Sequence, residues 1–165
     1  MIQTERLLIQ PLSDADENEI LTIFRDENVQ KTYMLPDFQS EEAMKNLFLR
    51  LVALSRAENH FVRGIYLENT LIGFLNDADM RGNTIELGYV ITPKHWGKGY
   101  MTEALSAVLE YLLQNGYDEV RTGAFAENLA SVRVMEKCGM TKMNARAKIE
   151  YRGAIHSCVY YKKTK

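Results

Sequence analysis

Proline, cysteine and glycine are scarce in this chain, and neither sign of charge is in large excess. Its 165 residues include three Pro, two Cys and ten Gly, and 20 basic residues nearly balance 22 acidic ones, for a net charge of −2. With 46% hydrophobic and 25% charged residues, the composition is that of a globular protein and excludes a disordered or fibrous chain. The near-neutral charge argues against a general nucleic-acid-binding protein.

Metal, redox and membrane signals are also missing. The two cysteines, Cys138 and Cys158, lie far apart, and His60, His95 and His156 lack metal-site spacing, so no metal is expected. No apolar run is long enough to span a membrane, and the N-terminus lacks the basic start and apolar stretch of a signal peptide. These absences predict a soluble cytoplasmic protein, with neither a membrane nor a nucleic acid as its partner.

One domain is predicted over residues 1–165, because the chain has no repeat, linker or low-complexity segment. Alternating apolar residues predict strands over 4–11, 61–68, 70–80, 84–91, 119–125, 140–151 and 154–162. Apolar stripes at helical spacing predict helices that begin near Ser13, Ser40, Lys98 and Asn128. The pattern indicates an α/β (α+β) fold, with a mixed, mostly antiparallel twisted sheet of about six to seven strands and about four helices.

An apolar loop, Tyr33–Phe38, separates the first two predicted helices. It is either a segment folded back on the core or one wall of a substrate site. The sequence favours the first interpretation and leaves the second open.

Two of the ten glycines, Gly97 and Gly99, follow the strand 84–91 and flank Lys98, with a strongly amphipathic helix beyond them. Amides at a helix start bind anions, glycines let a phosphate approach the backbone, and a lysine adds positive charge. A Gly-rich turn without a ligand is the alternative, because the segment is neither a dinucleotide-binding fingerprint nor a P-loop. The glycine spacing alone leaves both interpretations open.

Three separated blocks make this loop specific: Glu5–Leu12, Glu86–Ile91 leading into Trp96–Ala104, and Asn128–Met140. In order and spacing they resemble the GCN5-related N-acetyltransferase superfamily, and most of all the subgroup that includes ribosomal-protein N-terminal acetyltransferases. The resemblance spans nearly the whole chain. It implies the fold of that superfamily, with acetyl-coenzyme A as the acetyl donor and a primary amine as the acceptor.

The resemblance also implies which residues bind the donor. The pyrophosphate would lie on the loop Trp96–Thr102, and the pantetheine arm would run along the backbone of Tyr89 and Ile91. Asn128 would reach a pantetheine amide, although its place at a helix start equally predicts a plain N-cap. The full implied set is Tyr89, Ile91, Trp96, Gly97, Lys98, Gly99, Tyr100, Met101, Thr102, Asn128 and Ser131.

Glu86 is the candidate general base that removes a proton from the amine. Strand alternation places it on the face of Gly88 and Val90, where burial would raise its pKa; a solvated or salt-bridged strand glutamate is the alternative. Many members of the superfamily carry a Tyr proton donor for the leaving thiolate where this chain has Met135. Ser131 is the candidate in its place, because the resembled subgroup has a serine there, and a thiolate can also leave unaided.

The sequence does not decide whether the acceptor amine is a protein N-terminus or a small molecule such as a polyamine, amino acid or aminoglycoside. A second hypothesis is an acetyl-coenzyme A-binding sensor with little catalysis, and its support is the missing tyrosine at Met135. Exposed strand edges in the predicted sheet are compatible with a homodimer.

Overall fold

One eight-stranded sheet organises the chain, and the computed structural model describes residues 1–165. The strands are β1 (Ile2–Gln3), β2 (Leu7–Gln10), β3 (Val62–Leu67), β4 (Thr70–Arg81), β5 (Thr84–Ile91), β6 (Glu119–Phe125), β7 (Thr141–Tyr151) and β8 (Ala154–Thr164). Their order across the sheet is β1-β2-β3-β4-β5-β6-β8-β7. Every neighbouring pair is antiparallel except β5 and β6, which are parallel.

Five helices cover the two faces of the sheet: α1 (Glu17–Arg25), α2 (Glu27–Thr32), α3 (Glu41–Arg56), α4 (Tyr100–Gln114) and α5 (Leu129–Lys137). Alternate side chains of β5 point to opposite faces. Ile85 and Leu87 join the apolar core with α4 and α5, whereas Val90 joins a second core with α1 and α3. The sheet therefore lies between two layers of helices.

The predicted mixed, mostly antiparallel fold is confirmed. The structure has one strand and one helix more than the sequence predicts. The extra strand, β1, is two residues long, which is too short for an alternation pattern. The extra helix, α2, is six residues long, and the Asp26 side chain caps it by accepting the N–H groups of Asn28 and Val29. The predicted cap at Ser40 is present, since its hydroxyl accepts the N–H of Ala43 at 3.1 Å.

The parallel pair β5–β6 separates part-way along its length. Thr84–Leu87 pairs with Glu119–Thr122, but beyond that point Gly88–Ile91 pairs only with β4, and Gly123–Phe125 only with β8. The sheet therefore opens into a V-shaped split, and the backbone polar groups that face the split have no strand partner. Among the helices, none combines the length and the apolar character that crossing a bilayer requires.

Candidate active site

A cleft of about 550 Å³ opens at the split in the sheet. Its walls come from the separated ends of β5 and β6, the glycine loop before α4, the start of α5 and the residues that follow α2. The volume falls within the range of roughly 300–1,000 Å³ that is usual for small-molecule sites. The cleft is therefore large enough to hold a ligand between the two halves of the sheet.

The backbone of β5 presents hydrogen-bonding groups to this cleft. Thr92 donates its N–H to the carbonyl of Ile72 on β4, at 2.8 Å. Because antiparallel strands alternate in the direction of their polar groups, those of Tyr89 and Ile91 point the other way, into the split. The Ile91 carbonyl accepts the indole N–H of Trp96 at 2.8 Å, which fastens the loop to the strand. The amides that remain suit an extended ligand with amide groups of its own.

The glycine loop has a backbone that other residues would adopt only with strain. Gly97 has φ +73° and Gly99 has φ +80°, both in the left-handed region. A Cβ at Gly97 would meet nothing within 4 Å, so the space above the loop is open. Both glycines line the cleft beside the first residues of α4, whereas Lys98 between them is exposed and does not. The loop thus offers an anionic group the amides of a helix start rather than the lysine side chain.

The N-terminal block of the sequence holds this loop in place. The Arg6 guanidinium pairs with the carboxylate of Glu103 on α4 at 2.7 Å and donates to the Lys98 carbonyl at 3.1 Å. It also lies over the Tyr100 ring, 4.5 Å from its centroid, and the Thr4 hydroxyl donates to Glu103 at 2.6 Å. Residues almost one hundred positions apart in sequence therefore fix the shape of the glycine loop.

Glu86 lies half-buried on β5 and lines the cleft. Burial raises the pKa of its carboxyl group, and the nearby charge of Asp79 adds to the rise, while Arg121 and Arg81 oppose it. No protein group pairs with its carboxylate, so the salt-bridged alternative is wrong for this residue. A half-buried carboxylate with a raised pKa is a better proton acceptor than a solvated glutamate.

Ser131 and Asn128 border the cleft at the start of α5. The Asn128 side-chain oxygen accepts the N–H of Ser131 at 3.2 Å, so Asn128 is the N-cap that its position predicts. Its amide nitrogen makes no hydrogen bond within the protein, which leaves it free to donate to a ligand. The Ser131 hydroxyl lies 2.6 Å from the Tyr89 hydroxyl, and this contact joins α5 to β5 across the cleft.

Residues 6–141 match the family described as the acetyltransferase (GNAT) domain. This chain is a GNAT acetyltransferase. YnaD of Bacillus subtilis (strain 168), an uncharacterized N-acetyltransferase, is 32% identical over 149 residues, which cover 86% of this chain and 82% of YnaD. A crystal structure of a GNAT-family acetyltransferase from Bacillus anthracis is 28% identical, with a TM-score of 0.85, and covers 99% of this chain and 97% of its own.

A third similarity is to RimL, a ribosomal L7/L12 alpha-N-protein acetyltransferase in complex with coenzyme A. Its TM-score is 0.86, with 98% of this chain and 95% of RimL covered, but the identity is 15%, so the likeness is one of fold. Together these findings make the chain an acetyl-coenzyme A-dependent acetyltransferase of the GNAT fold.

Two methionines occupy positions where GNAT sequences often differ. Met101 is only 6% exposed, and its side chain joins the core although the residue also borders the cleft. Met135 is fully buried in the same core and does not line the cleft. Met135 therefore offers no proton donor to the cleft.

Sequence reasoning missed several residues of the cleft. Arg133 is one of them, and it lines the cleft one turn before Lys137 on α5. Both residues add positive charge to the cleft. For Lys137 the sequence leaves open a contact with the nucleotide end of the cofactor, beside the alternative of an exposed helical lysine. The i, i+4 spacing of Arg133 and Lys137 on the helix that Asn128 begins is a signal that could have found the pair. Asn76 and Phe125 also line the cleft, and no local pattern in the sequence distinguishes them.

The Tyr33–Phe38 loop combines its two interpretations. Leu35 is buried in the core and Phe38 stacks on Phe24, with ring centroids 5.5 Å apart. Tyr33 and Met34, however, line the cleft, and the Tyr33 hydroxyl donates to the side-chain oxygen of Asn76 at 2.7 Å. Burial raises the pKa of Tyr33. The loop is therefore both a core segment and a wall of the site.

Proposed function

We propose that this GNAT enzyme, working as one catalytic unit over residues 1–165, transfers the acetyl group of acetyl-coenzyme A directly to a primary amine. The observation that supports this proposal best is the split in the sheet. A phosphate-binding glycine loop lies at one end of the split, and Glu86, half-buried and unpaired, lies at the other.

The residues of the cleft divide among the parts of the donor. The amides of Gly97–Thr102 and the side chains of Arg133 and Lys137 would hold the phosphates, with Trp96 fastening the loop. The backbone of Tyr89 and Ile91 and the side-chain amide of Asn128 would hold the pantetheine arm. When bound, acetyl-coenzyme A supplies an acetyl thioester as the reactive group.

The transfer forms one N–C bond and breaks one C–S bond. An amine that enters as an ammonium ion and leaves as an amide loses two protons; one returns to the sulfur and one reaches solvent. Glu86 accepts a proton from the ammonium group through a water molecule, which frees the nitrogen lone pair for attack. Ser131 donates a proton to the departing sulfur, and its contact with the Tyr89 hydroxyl orients it.

A release assay tests this proposal. Free thiol is measured with acetyl-coenzyme A and a panel of peptides, polyamines, amino acids and aminoglycosides, with mass spectrometry of each acceptor and amine-free reactions as controls. We expect acetyl-coenzyme A to raise Tm and at least one amine to gain one acetyl group per thiol released. Binding without transfer to any amine would indicate a sensor instead, and absence of binding would contradict the proposal at its first step.

A further inference from the structure

The end of the cleft opposite the glycine loop is apolar and has a single acid. Glu86 is the only Asp or Glu among the residues that line the cleft. The rest of the lining there is mainly aromatic or aliphatic, with Asn76 and Thr32 as polar members; the aromatic and aliphatic residues are Tyr33, Met34, Phe125, Ile149 and Tyr160. Such a surface recognises an acceptor mainly by burying its apolar parts, and offers one site for a positive charge.

Charged groups at the rim of this end are already paired. Arg152 lies 3.9 Å from the carboxylate of Asp37, and His156 pairs with Glu127. The His156 ring also stacks on Phe125, with ring centroids 4.3 Å apart. The carboxylates of Asp37 and Glu127 therefore already have partners within the protein.

A bridge of hydrogen bonds crosses the split on this side. We define the bridge as residues 30–36 on one bank of the cleft and Tyr151–Arg152, at the end of β7, on the other. The Tyr151 hydroxyl donates to the Gln30 carbonyl at 2.6 Å, with the Tyr33 carbonyl at 3.2 Å, and accepts the N–H of Leu35 at 3.3 Å. One side chain thus ties the segment that follows α2 to the opposite half of the sheet.

We propose, on the basis of the acetyl transfer proposed above, that the acceptor is a small primary amine with one ammonium group joined to an aromatic or aliphatic body, and that Tyr151 maintains this preference by holding the bridge closed. Tyr151 does not line the cleft. It is therefore a positioning residue for acceptor choice, not a catalytic one.

Two other acceptor classes fit this end of the cleft less well. A polyamine would bring a second ammonium group into a lining that has no second carboxylate, and a buried unpaired charge is costly. A polypeptide would have to lead its following residues out past the bridge, where the hydrogen bonds of Tyr151 lie. The cleft of about 550 Å³ must also hold the acyl arm of the donor, so only a small part of a large acceptor could lie inside it.

Competing acceptors test the preference in the wild-type enzyme. The probes are phenylethylamine, spermidine and a hexapeptide with a free N-terminus, each with acetyl-coenzyme A and thiol release as the readout. We expect kcat/KM for phenylethylamine to exceed the other two by about tenfold or more, the discrimination that a pocket of this kind provides. A higher value for spermidine or the peptide would overturn the acceptor assignment alone, whereas no transfer to any amine would overturn the proposed function with it.

Two variants separate the bridge from general folding. Tyr151→Phe keeps the ring that packs beside Phe125 and removes only the hydroxyl, so the ratio of peptide to phenylethylamine kcat/KM should rise by about tenfold. Met34→Glu adds a carboxylate at a lining position that is 52% exposed, so the ratio of spermidine to phenylethylamine should rise. Tyr111→Phe, on the exposed face of α4, is the matched control. Ratios equal to wild type in both variants would overturn the role of the bridge and of the lining.

Discussion

The two ends of the cleft are built in different ways. The end proposed to hold the donor, here the donor end, comes from the continuous segment Trp96–Thr102, which joins the glycine loop to the first turn of α4, and from the start of α5. It offers mainly backbone amides. The acceptor end is assembled from β5, β6, the β7–β8 hairpin and the segment that follows α2, and it offers side chains. A ligand of fixed chemistry can thus be held by backbone geometry that a few glycines determine, whereas the acceptor depends on side chains brought together by the whole fold.

A substitution that disrupts only the donor end of the cleft should have the largest effect, and the quantity affected is the affinity for coenzyme A. Gly99→Glu places a side chain at φ +80°, where it is strained, and a negative charge beside the phosphates, so affinity for coenzyme A should fall by at least ~100-fold. Isothermal titration calorimetry measures the loss. Gly82→Glu is the control, because Gly82 has φ +58° in the exposed β4–β5 turn and the same strain arises away from the cleft. Retained affinity in Gly99→Glu would show that the phosphates bind elsewhere.

Glu86→Gln should separate chemistry from donor binding. Removing the general base lowers kcat by roughly 10²–10⁴-fold, while the Kd for coenzyme A stays near that of the wild type. The acid limb of the pH–rate profile, which follows deprotonation of Glu86, should disappear. Glu110→Gln removes the same charge from the exposed face of α4 and should change neither quantity. Wild-type turnover in Glu86→Gln would exclude this residue as the base.

Ser131→Ala tests the proposed proton donor to sulfur, which lies where the two ends of the cleft meet. Loss of the proton donor to sulfur should lower kcat by roughly tenfold to one hundredfold, at or below the usual general-acid contribution because a thiolate is itself a fair leaving group. Donor affinity should change little, since the Ser131 amide stays capped by Asn128. Ser106→Ala, on α4 and outside the cleft lining, is the control for loss of a half-buried hydroxyl. An unchanged kcat would mean that the thiolate leaves unaided.

Arg6 is the long-range component of the donor end, and its removal should have a smaller effect. Arg6→Ala breaks the pair with Glu103 and the bond to the Lys98 carbonyl, so the glycine loop loses order and Kd for coenzyme A rises roughly three- to tenfold. Arg6→Lys should recover part of the affinity, because a lysine cannot make the bidentate contact. Arg50→Ala, at an exposed position of α3, is the control. An unchanged Kd in Arg6→Ala would show that the loop holds its shape unaided.

The same contrast explains what the sequence could predict. The donor loop, the strands 84–91 and 119–125 and the N-cap Asn128 all have local signals, and the structure places these residues as those signals indicate. Tyr33, Asn76 and Tyr151 lie on three separate elements and meet only through tertiary packing. The hydrogen bonds that hold this region together join residues up to 121 positions apart, and no local pattern encodes such contacts.

Asp79→Asn should have the smallest effect of these variants. It should shift the pH dependence of kcat without lowering the plateau value. Asp79 lies opposite Glu86 on β4, and its negative charge raises the pKa of the Glu86 carboxyl. Without that charge the pKa falls, so the base is ionised at lower pH and the acid limb of kcat moves to lower pH. Arg81, which pairs with Asp79 at 2.8 Å and itself lowers the Glu86 pKa, loses its partner, and this acts in the same direction.

The plateau value of kcat should stay near that of the wild type in Asp79→Asn, because Asp79 does not line the cleft. Asp14→Asn removes an equal charge from an exposed site far along the chain and should leave the limb in place. A limb that moved to higher pH in Asp79→Asn would mean that a group other than Glu86 limits the rate at low pH. The direction of this shift therefore tests whether the carboxylate that the sheet split exposes is the one that takes the proton.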